Sequence, residues 1–416
     1  MDTLTAPGAA VEAAELDAIR DRLDADLPAY LADLGRLCSI DCGSYTPKGV
    51  NEVATWVAAQ MAGLGASVER RPDPNGRFGD TVIGTWSNPA LAGRGPRVLL
   101  IGHMDTVFDE GTAVKRPFRI DEGIAFGPGV TDMKGGLLAG LYGIRALRAV
   151  LGEGTALPFE RLTYIANPDE EIGSPSSRPH IEDVAASTDV CLCLECARAN
   201  GDFVSSRKGI ADLKVSIYGR AAHAGVEPEK GRSAILEGAA LVQAIHELNG
   251  RWPGVTANVG VFKAGTRPNI VCDEARLEVD LRATSGEALD NAIACISELA
   301  AAPTVPDVTV DVEEMSGWRP MEKLERSGRL VDMTISLASR LGFETVDTAT
   351  GGAGDANTTS GMGVPTIDGL GPVGGRDHSP DEYLEVASIV PRTALLAALL
   401  LGVSRDPVVA GWRAGA

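Results

Sequence analysis

Apolar, strand-like runs in this sequence repeatedly end beside a histidine or a carboxylate. The runs and the residues that follow them are 98–101 with His103, 162–166 with Glu170 and Glu171, and 190–194 with Glu195. Segments with helical periodicity alternate with strand-like runs, which indicates an α/β fold with a mostly parallel sheet covered by helices. In such sheets, functional side chains collect beyond the carboxyl ends of the strands. The pattern therefore predicts that these histidine and carboxylate side chains meet at one edge of the sheet.

Between residues 209 and 315 the pattern changes to β-α-β-β-α-β, the order of a ferredoxin-like α+β unit. The strand-like and helix-like runs are, in chain order, 210–218, 233–248, 255–262, 275–281, 285–299 and 308–312. A chain of 416 residues also exceeds what one hydrophobic core usually serves. We therefore predict a catalytic domain in two pieces, 1–207 and 319–416, with an inserted domain at 208–318.

Composition excludes several classes of protein. The formal net charge of −19 argues against a nucleic-acid partner, because no basic stripe could neutralise phosphates. Residues 1–26 lack the basic and apolar regions of a secretory signal, and the apolar run 394–403 predicts a buried terminal helix, not a membrane span. The seven cysteines have no disulfide-scaffold spacing. We expect a cytoplasmic protein without a membrane partner.

Five residues form a mixed set of histidines and carboxylates that suits divalent cations, with zinc as the first expectation. They are His103, Asp132, Glu171, Glu195 and His378. Five ligands are more than one zinc ion uses, so two metals that share one bridging carboxylate are the economical arrangement. Two adjacent metals and one further carboxylate are sufficient to hydrolyse an amide.

Four motifs occur in a fixed order along the chain. They are His-Met-Asp at 103–105, Asp-Met-Lys-Gly-Gly at 132–136, Asp-Glu-Glu at 169–171 and His-Ser-Pro-Asp-Glu-Tyr at 378–383. With these motifs the chain resembles the zinc-dependent M20 metallopeptidase family, and within it the glutamate carboxypeptidase (carboxypeptidase G-type) enzymes. The resemblance covers nearly the whole chain, including the inserted module, and implies a zinc-exopeptidase-like catalytic domain.

The resemblance implies two zinc ions per subunit, with Co²⁺ or Mn²⁺ as alternatives. Asp132 would bridge the two metals. One metal would add His103 and Glu195 as ligands, and the other would add Glu171 and His378.

Two more residues of the same motifs receive roles from the resemblance. Glu170 would be the general base that deprotonates the attacking water and passes its proton to the leaving nitrogen. Asp105 would accept a hydrogen bond from the non-ligating nitrogen of His103 and fix its ring orientation. Family members also hold the peptide bond between Asp132 and Met133 in the cis form.

The inserted module resembles the dimerisation or lid domain of the family, which implies a homodimer. His223 would reach the site of the partner subunit and stabilise the oxyanion of the tetrahedral intermediate. Asn269 and Arg319 match positions that hold the carboxylate of the substrate, for which an arginine fork is well suited. Gly352 lies in a glycine-rich loop that would line the same pocket with backbone donors.

Two positions depart from the family pattern. Gly354 precedes Asp355 where relatives commonly have Ser-Asp, which removes a hydroxyl group. Phe203 stands where glutamate-selective relatives carry a lysine near the substrate side chain. Either Arg207 or Lys208 substitutes for that lysine, or the pocket prefers an apolar or aromatic amino acid.

Other ionisable residues receive structural interpretations. His180 and His246 are isolated, and isolated histidines are more often structural than metal-binding. The acidic pair Asp381 and Glu382 is interpreted as charge near the N-terminus of the last helix, where it favours the helix dipole.

The sequence thus predicts a dizinc enzyme that hydrolyses the amide of an N-acyl amino acid or small peptide and releases a C-terminal amino acid. One alternative is an N-acyl amino acid deacylase of the acetylornithine or succinyl-diaminopimelate type. A second alternative is a non-catalytic metal-binding scaffold that kept the fold, which loss of the base or of a ligand would favour.

Overall fold

The computed structural model describes residues 6–152 and 154–412, so the first five residues of the segment screened for a secretory signal lie outside it. The chain divides into two compact units. The first unit holds the chain up to Ser205, Lys323–Ala349 and the chain from Gly354 onwards. The second unit holds Ser206–Glu322 and Thr350–Ala353, and the predicted insertion 208–318 lies within it.

The helices include those predicted at 233–248, 285–299 and 394–403. In chain order they are α1 Ala13–Cys38, α2 Pro47–Gly63, α3 Thr112–Lys115, α4 Gly136–Leu151, α5 Arg178–Ala185, α6 Ala234–His246, α7 Gly286–Ala301, α8 Glu325–Arg340, α9 Asp355–Gly361, α10 Val386–Arg405 and α11 Pro407–Ala410.

The strands include every predicted run and others that periodicity did not indicate, among them the seven-residue β2. In chain order they are β1 Ser67–Arg71, β2 Thr81–Ser87, β3 Arg97–His103, β4 Arg119–Asp121, β5 Ile124–Phe126, β6 Arg161–Asn167, β7 Val190–Cys193, β8 Phe203–Arg207, β9 Gly209–Tyr218, β10 Thr256–Ala264, β11 Glu274–Ala283, β12 Thr309–Trp318, β13 Asp347–Thr350, β14 Thr366–Ile367, β15 Gly374–Gly375 and β16 Tyr383–Glu385.

The main sheet of the first unit has the strand order β1-β2-β6-β3-β7-β14. Its four strands from β6 to β14 are parallel, as predicted. The pairings of β1 with β2 and of β2 with β6 are antiparallel, so the sheet is mixed. Strand β1 is short, charged and mostly exposed, which is typical of an edge strand that must avoid pairing with another chain.

The central strands of this sheet are buried on both faces, which explains their continuous apolar sequence. Helix α4 packs closely on the sheet because Gly140 brings its backbone near Tyr164. A Cβ atom at Gly140 would lie 2.7 Å from the Tyr164 ring, and the Tyr164 hydroxyl donates to the carbonyl of Leu137 at 2.8 Å. The turn just before α4, Val130–Gly135, carries Asp132 and therefore sits next to the ends of the strands.

Helix α10 is long and apolar enough to cross a membrane by length and composition. In its most apolar 18-residue window, 72% of the residues are buried inside the structure, and residues 394–401 are almost completely inaccessible. It is therefore a core helix, as predicted for residues 394–403.

The second unit has the order β9-α6-β10-β11-α7-β12, and its antiparallel sheet has the strand order β10-β11-β9-β12. This is the ferredoxin-like arrangement that the sequence predicted. Alternate residues of β9 are buried against α6 and α7, which gives the strand its period of two. The serine at each helix start, Ser233 and Ser285, accepts a hydrogen bond from the first turn and caps the helix.

Candidate metal centre

Three neighbouring parallel strands deliver the predicted side chains to one edge of the sheet. Strand β3 ends at His103, which is in register with the last residue of β6, Asn167. Glu170 and Glu171 follow β6, and Glu195 follows β7 by two residues. Because β6, β3 and β7 are adjacent and parallel, their carboxyl ends bring these residues together.

Asp132 joins the two histidines of the predicted set. Its Oδ1 lies 3.1 Å from Nε2 of His103, and its Oδ2 lies 3.1 Å from Nε2 of His378. His103 Nε2 is also 3.5 Å from Glu195 Oε1, and His378 Nε2 is 3.1 Å from Glu171 Oε2. The carboxylate of Asp132 thus has one oxygen in each of two groups of donors. The peptide bond between Asp132 and Met133 is cis, as the resemblance implies.

The spacing of these donors fits two divalent cations. Tetrahedral zinc with bonds of about 2.05 Å places its ligand atoms about 3.3 Å apart. The four separations between a histidine nitrogen and a carboxylate oxygen in the two groups lie between 3.1 and 3.5 Å. The donor set is also the mixed imidazole and carboxylate chemistry that zinc accepts. The residues present therefore fit the predicted metal.

Asp105 orients both the histidine and the loop of the glutamates. His103 Nδ1 lies 3.0 Å from the backbone carbonyl of Asp105 and 3.3 Å from its Oδ1, so Nε2 faces the donor cluster. The same carboxylate accepts hydrogen bonds from the backbone N–H groups of Glu170 at 3.1 Å and Glu171 at 3.3 Å. The Ser44 hydroxyl, which sequence reasoning did not single out, donates to Asp105 Oδ2 at 2.6 Å.

Glu170 lies among several other carboxylates of the site. Burial raises the pKa of Glu170 well above its usual range, and the neighbouring carboxylates of Glu195, Asp355 and Glu171 raise it further. Oxygens of Glu170 and Glu195 lie within 4.8 Å of a nitrogen of His103, so Glu170 is close enough to serve as a base or as a ligand.

When no cation is bound, the neighbouring carboxylates favour the protonated forms of His103 and His378. Hydrogen bonds to Asp132 and Glu171 raise the pKa of His378 to about 11. Burial alone would raise the pKa of Asp132, but hydrogen bonds from His103 and His378 lower it below its usual value. A cluster with more carboxylates than histidines needs further positive charge, which bound divalent cations supply.

Two more buried carboxylates hold the loops of the site. Asp355 accepts hydrogen bonds from Nδ2 of Asn167 and the hydroxyl of Ser174, both at 2.6 Å. Asp169 accepts one from the hydroxyl of Ser177 at 2.5 Å. Asp169 belongs to the Asp-Glu-Glu motif, and Asp355 follows Gly354 in the glycine-rich loop. Only the structure shows that both aspartates support the loop of Glu170 and Glu171.

The two site residues of the predicted insertion, His223 and Asn269, lie in the second unit and are brought together. His223 pairs with Ile270 in an isolated β-bridge, and the carbonyl of Asn269 accepts a hydrogen bond from Ala224 at 3.0 Å. Nδ1 of His223 accepts from the N–H of Gly225 at 3.1 Å, so Nε2 carries the ring proton of a neutral imidazole. His223 and Asn269 are exposed. The Nε2 donor of His223 is therefore on an exposed residue, where solvent or a ligand could accept from it.

Arg319 and Gly352 also lie in the second unit, although both fall outside the predicted insertion 208–318. Each has a partner within this unit. Arg319 forms an exposed ion pair with Asp290. The carbonyl of Gly352 accepts a hydrogen bond from Nη1 of Arg207 at 3.1 Å. Phe203, in contrast, is completely buried in the core of the first unit.

The sequence profile described as Peptidase family M20/M25/M40 matches residues 99–402. Carboxypeptidase G2 from Pseudomonas sp. (strain RS-16) is 32% identical over 378 residues, which cover 90% of this chain and 89% of that protein. Acetylornithine deacetylase from Edwardsiella ictaluri is 27% identical and aligns over 91% of this chain and 98% of its own length.

A solved structure supports the fold. The crystal structure of aminopeptidase PepT from Bacillus cereus superposes with a TM-score of 0.72 at 22% sequence identity. It covers 91% of this chain and 99% of its own. The likeness therefore extends over both units of the chain.

Proposed function

Because the chain belongs to the M20 family of metal-dependent peptidases and amidohydrolases, we propose that it is a dizinc carboxypeptidase-like amidohydrolase. It hydrolyses the amide bond of an N-acyl amino acid or small peptide and releases a C-terminal amino acid. The released product is an amino acid with a free α-carboxylate.

One observation carries the proposal, namely that the two oxygens of Asp132 face two different histidines. Each histidine lies 3.1 Å from its own oxygen, and each has a second carboxylate neighbour, Glu195 or Glu171. This arrangement supports Asp132 as a bridge between two zinc ions, each with one histidine and one further carboxylate. A single-metal site would leave half of these donors without a role.

Bound at these donors, two divalent cations would polarise the scissile carbonyl and lower the pKa of the attacking water. Glu170 accepts the proton of that water and delivers it to the leaving nitrogen, a role that its position beside the donor cluster supports. Asp105 keeps Nε2 of His103 directed to the cluster and holds the backbone of Glu170 in place. Zinc is the proposed metal, with Co²⁺ or Mn²⁺ as functional replacements.

The second unit supplies the proposed contacts to the substrate. His223 donates from Nε2 to the oxyanion, and Asn269 and Arg319 bind the carboxylate of the released amino acid. The glycine-rich loop that contains Gly352 lines the pocket. Arg207 holds this loop by donating a hydrogen bond to the carbonyl of Gly352. Phe203 carries no charge, so Arg207 or Lys208 would supply the positive charge for an acidic substrate side chain, or the pocket would prefer an apolar or aromatic amino acid.

We further propose a cytoplasmic homodimer in which His223 acts in the site of the partner subunit. Light scattering coupled to gel filtration should give twice the subunit mass of 43.3 kDa. A strictly monomeric protein with full activity would contradict this part of the proposal.

A deacylase activity is the second candidate, because the acetylornithine deacetylase from Edwardsiella ictaluri aligns over most of this chain. The two candidates differ in which part of the substrate is selected, the acyl group or the amino acid. A panel of an aryl glutamate amide, acetyl and succinyl amino acids and dipeptides separates them. Preference for one amino acid across several acyl groups supports the carboxypeptidase-like activity, and the reverse supports the deacylase.

Metal removal tests the core of the proposal. Protein treated with a chelator should lose hydrolysis of the preferred substrate and regain it when two equivalents of zinc per subunit are added. His378 is 57% exposed and His103 is 1% exposed, so we expect the zinc ion beside His378 to leave first. Full activity after complete metal removal, or a zinc stoichiometry of zero, would refute the proposal. Zinc binding without hydrolysis of any substrate of the panel would favour a non-catalytic metal-binding scaffold.

A further inference from the structure

The carboxylate of Glu382 is buried and is bound by main-chain groups alone among the hydrogen bonds described for it. The residue is 1% exposed. Its Oε2 accepts from the N–H of Gly129 at 2.8 Å, and its Oε1 accepts from those of Thr131 at 2.9 Å and Asp132 at 3.0 Å. A buried carboxylate is costly unless such donors compensate it. The interpretation of Glu382 as a charge near the helix N-terminus is therefore wrong, whereas Asp381 beside it is exposed.

A buried lysine holds the same loop through one of its carbonyl groups. Lys134 is 1% exposed, and its ammonium donates to the carbonyl of Pro128 at 3.0 Å and to that of Ile40 at 3.4 Å. The loop 128–132 is thus bound by an anion at its N–H groups and by a cation at a carbonyl. Side-chain bonds of this kind leave the loop little freedom to move.

The segment that contains Glu382 also contains His378, four residues earlier. His378 has a φ angle of 61°, which is uncommon for a residue other than glycine, and its Nε2 faces Oδ2 of Asp132. One short segment therefore contacts Asp132 at both ends, at the backbone N–H through Glu382 and at the carboxylate through His378. The remaining oxygen of Asp132 faces His103.

We propose that Glu382 is a positioning residue, which holds the loop of Asp132 so that one oxygen of Asp132 faces His103 and the other faces His378. This inference rests on the proposed function for the bridging role of Asp132. The anchoring of the loop itself is a property of the metal-free chain.

Glu382→Gln is the informative variant. A glutamine keeps the shape of the side chain but has only one acceptor oxygen. Its NH₂ group cannot accept a hydrogen bond from the backbone N–H groups that it would face. We expect zinc binding, measured by competition with a chromophoric chelator, to weaken about 10–100-fold, which is usual when an outer partner of a metal ligand is lost. In the metal-free protein, hydrogen exchange at the amides of Gly129, Thr131 and Asp132 should accelerate, and the visible spectrum of the Co²⁺-substituted protein should change.

The matched control is Asp381→Asn, which removes an adjacent, exposed carboxylate. It should leave zinc affinity, amide exchange and the Co²⁺ spectrum unchanged. Glu382→Asp retains the charge and both oxygens, so it should recover part of the zinc affinity that the glutamine variant loses. It also replaces that variant if Glu382→Gln does not fold.

Wild-type zinc affinity and wild-type amide exchange in Glu382→Gln, or in Glu382→Asp where the glutamine variant does not fold, would overturn the inference. A wild-type protein that binds no divalent cation would instead overturn the proposed function. In that case accelerated amide exchange at residues 129–132 in Glu382→Gln would still support the anchoring, and unchanged exchange would refute it.

Discussion

The candidate residues of the two units differ in their burial and in whether they contact one another. In the first unit, His103, Asp105 and Asp132 are largely buried and contact one another. In the second unit, His223 and Asn269 are exposed, and Arg319 is occupied by an exposed ion pair. The first unit thus contains a prearranged cluster whose chemistry can be argued from its own distances. The residues of the second unit need a substrate or a second subunit before their roles can be tested.

The largest effect is expected inside the cluster. Glu170→Gln keeps the size of the side chain but cannot accept a proton, so kcat should fall by about 10³-fold, within the range for general acid–base groups. Zinc content, measured by atomic absorption, should remain at two per subunit. Glu344→Gln, at an exposed glutamate, is the control and should have wild-type activity. Loss of zinc from Glu170→Gln would mean that Glu170 is a ligand and would contradict its assignment as the base.

The next effect tests whether the second unit completes the site. His223→Ala should lower kcat by about 10²-fold, as the loss of one oxyanion donor does, with little change in thermal stability because the residue is exposed. Its zinc content should match that of the wild type. An unchanged kcat would remove His223 from the mechanism.

A mixed dimer of Glu170→Gln and His223→Ala distinguishes action within a subunit from action across the dimer. If His223 acts in the partner's site, a hybrid dimer has one site with both residues intact, so mixing two inactive variants restores activity. If it acts within its own subunit, every site of the hybrid lacks one residue and mixing restores nothing. Subunit exchange should be verified with differently tagged variants.

A smaller effect is expected at Gly354, where the chain departs from the family pattern. Its backbone is extended, with a φ angle of −173°, so alanine is allowed there. However, a Cβ atom would lie 2.8 Å from Oε1 of Glu170 and would displace that carboxylate. We expect Gly354→Ala to lower kcat about 10-fold without loss of zinc, because a small misplacement of a catalytic group is costly. Gly351→Ala, with no atom within 4 Å of the new Cβ, should be neutral.

Gly354 also illustrates how far the sequence alone reaches. The missing hydroxyl at this position is visible in the sequence, but its closeness to Glu170 is not. The ends of β3, β6 and β7 were predictable because parallel strands deliver their last residues to the same edge. Glu382 could not be assigned from the sequence, since it binds a loop about 250 residues earlier in the chain. The antiparallel edge formed by β1 was missed because its exposed, charged sequence carries no apolar alternation.

The smallest effect is expected at Arg319, and it separates substrate binding from surface structure. An exposed ion pair contributes about 0–1 kcal/mol, so Arg319→Gln and Asp290→Asn should each change thermal stability only slightly. If Arg319 binds the carboxylate of the substrate, Arg319→Gln should raise KM about 10-fold, the equivalent of about 1.4 kcal/mol, with kcat nearly unchanged. Asp290→Asn should leave KM unchanged or lower it, because Asp290 then no longer competes as an anion with the carboxylate of the substrate. An equal response of KM to both variants would indicate that the pair only supports the start of α7, and the second unit would then contribute less to the site than we propose.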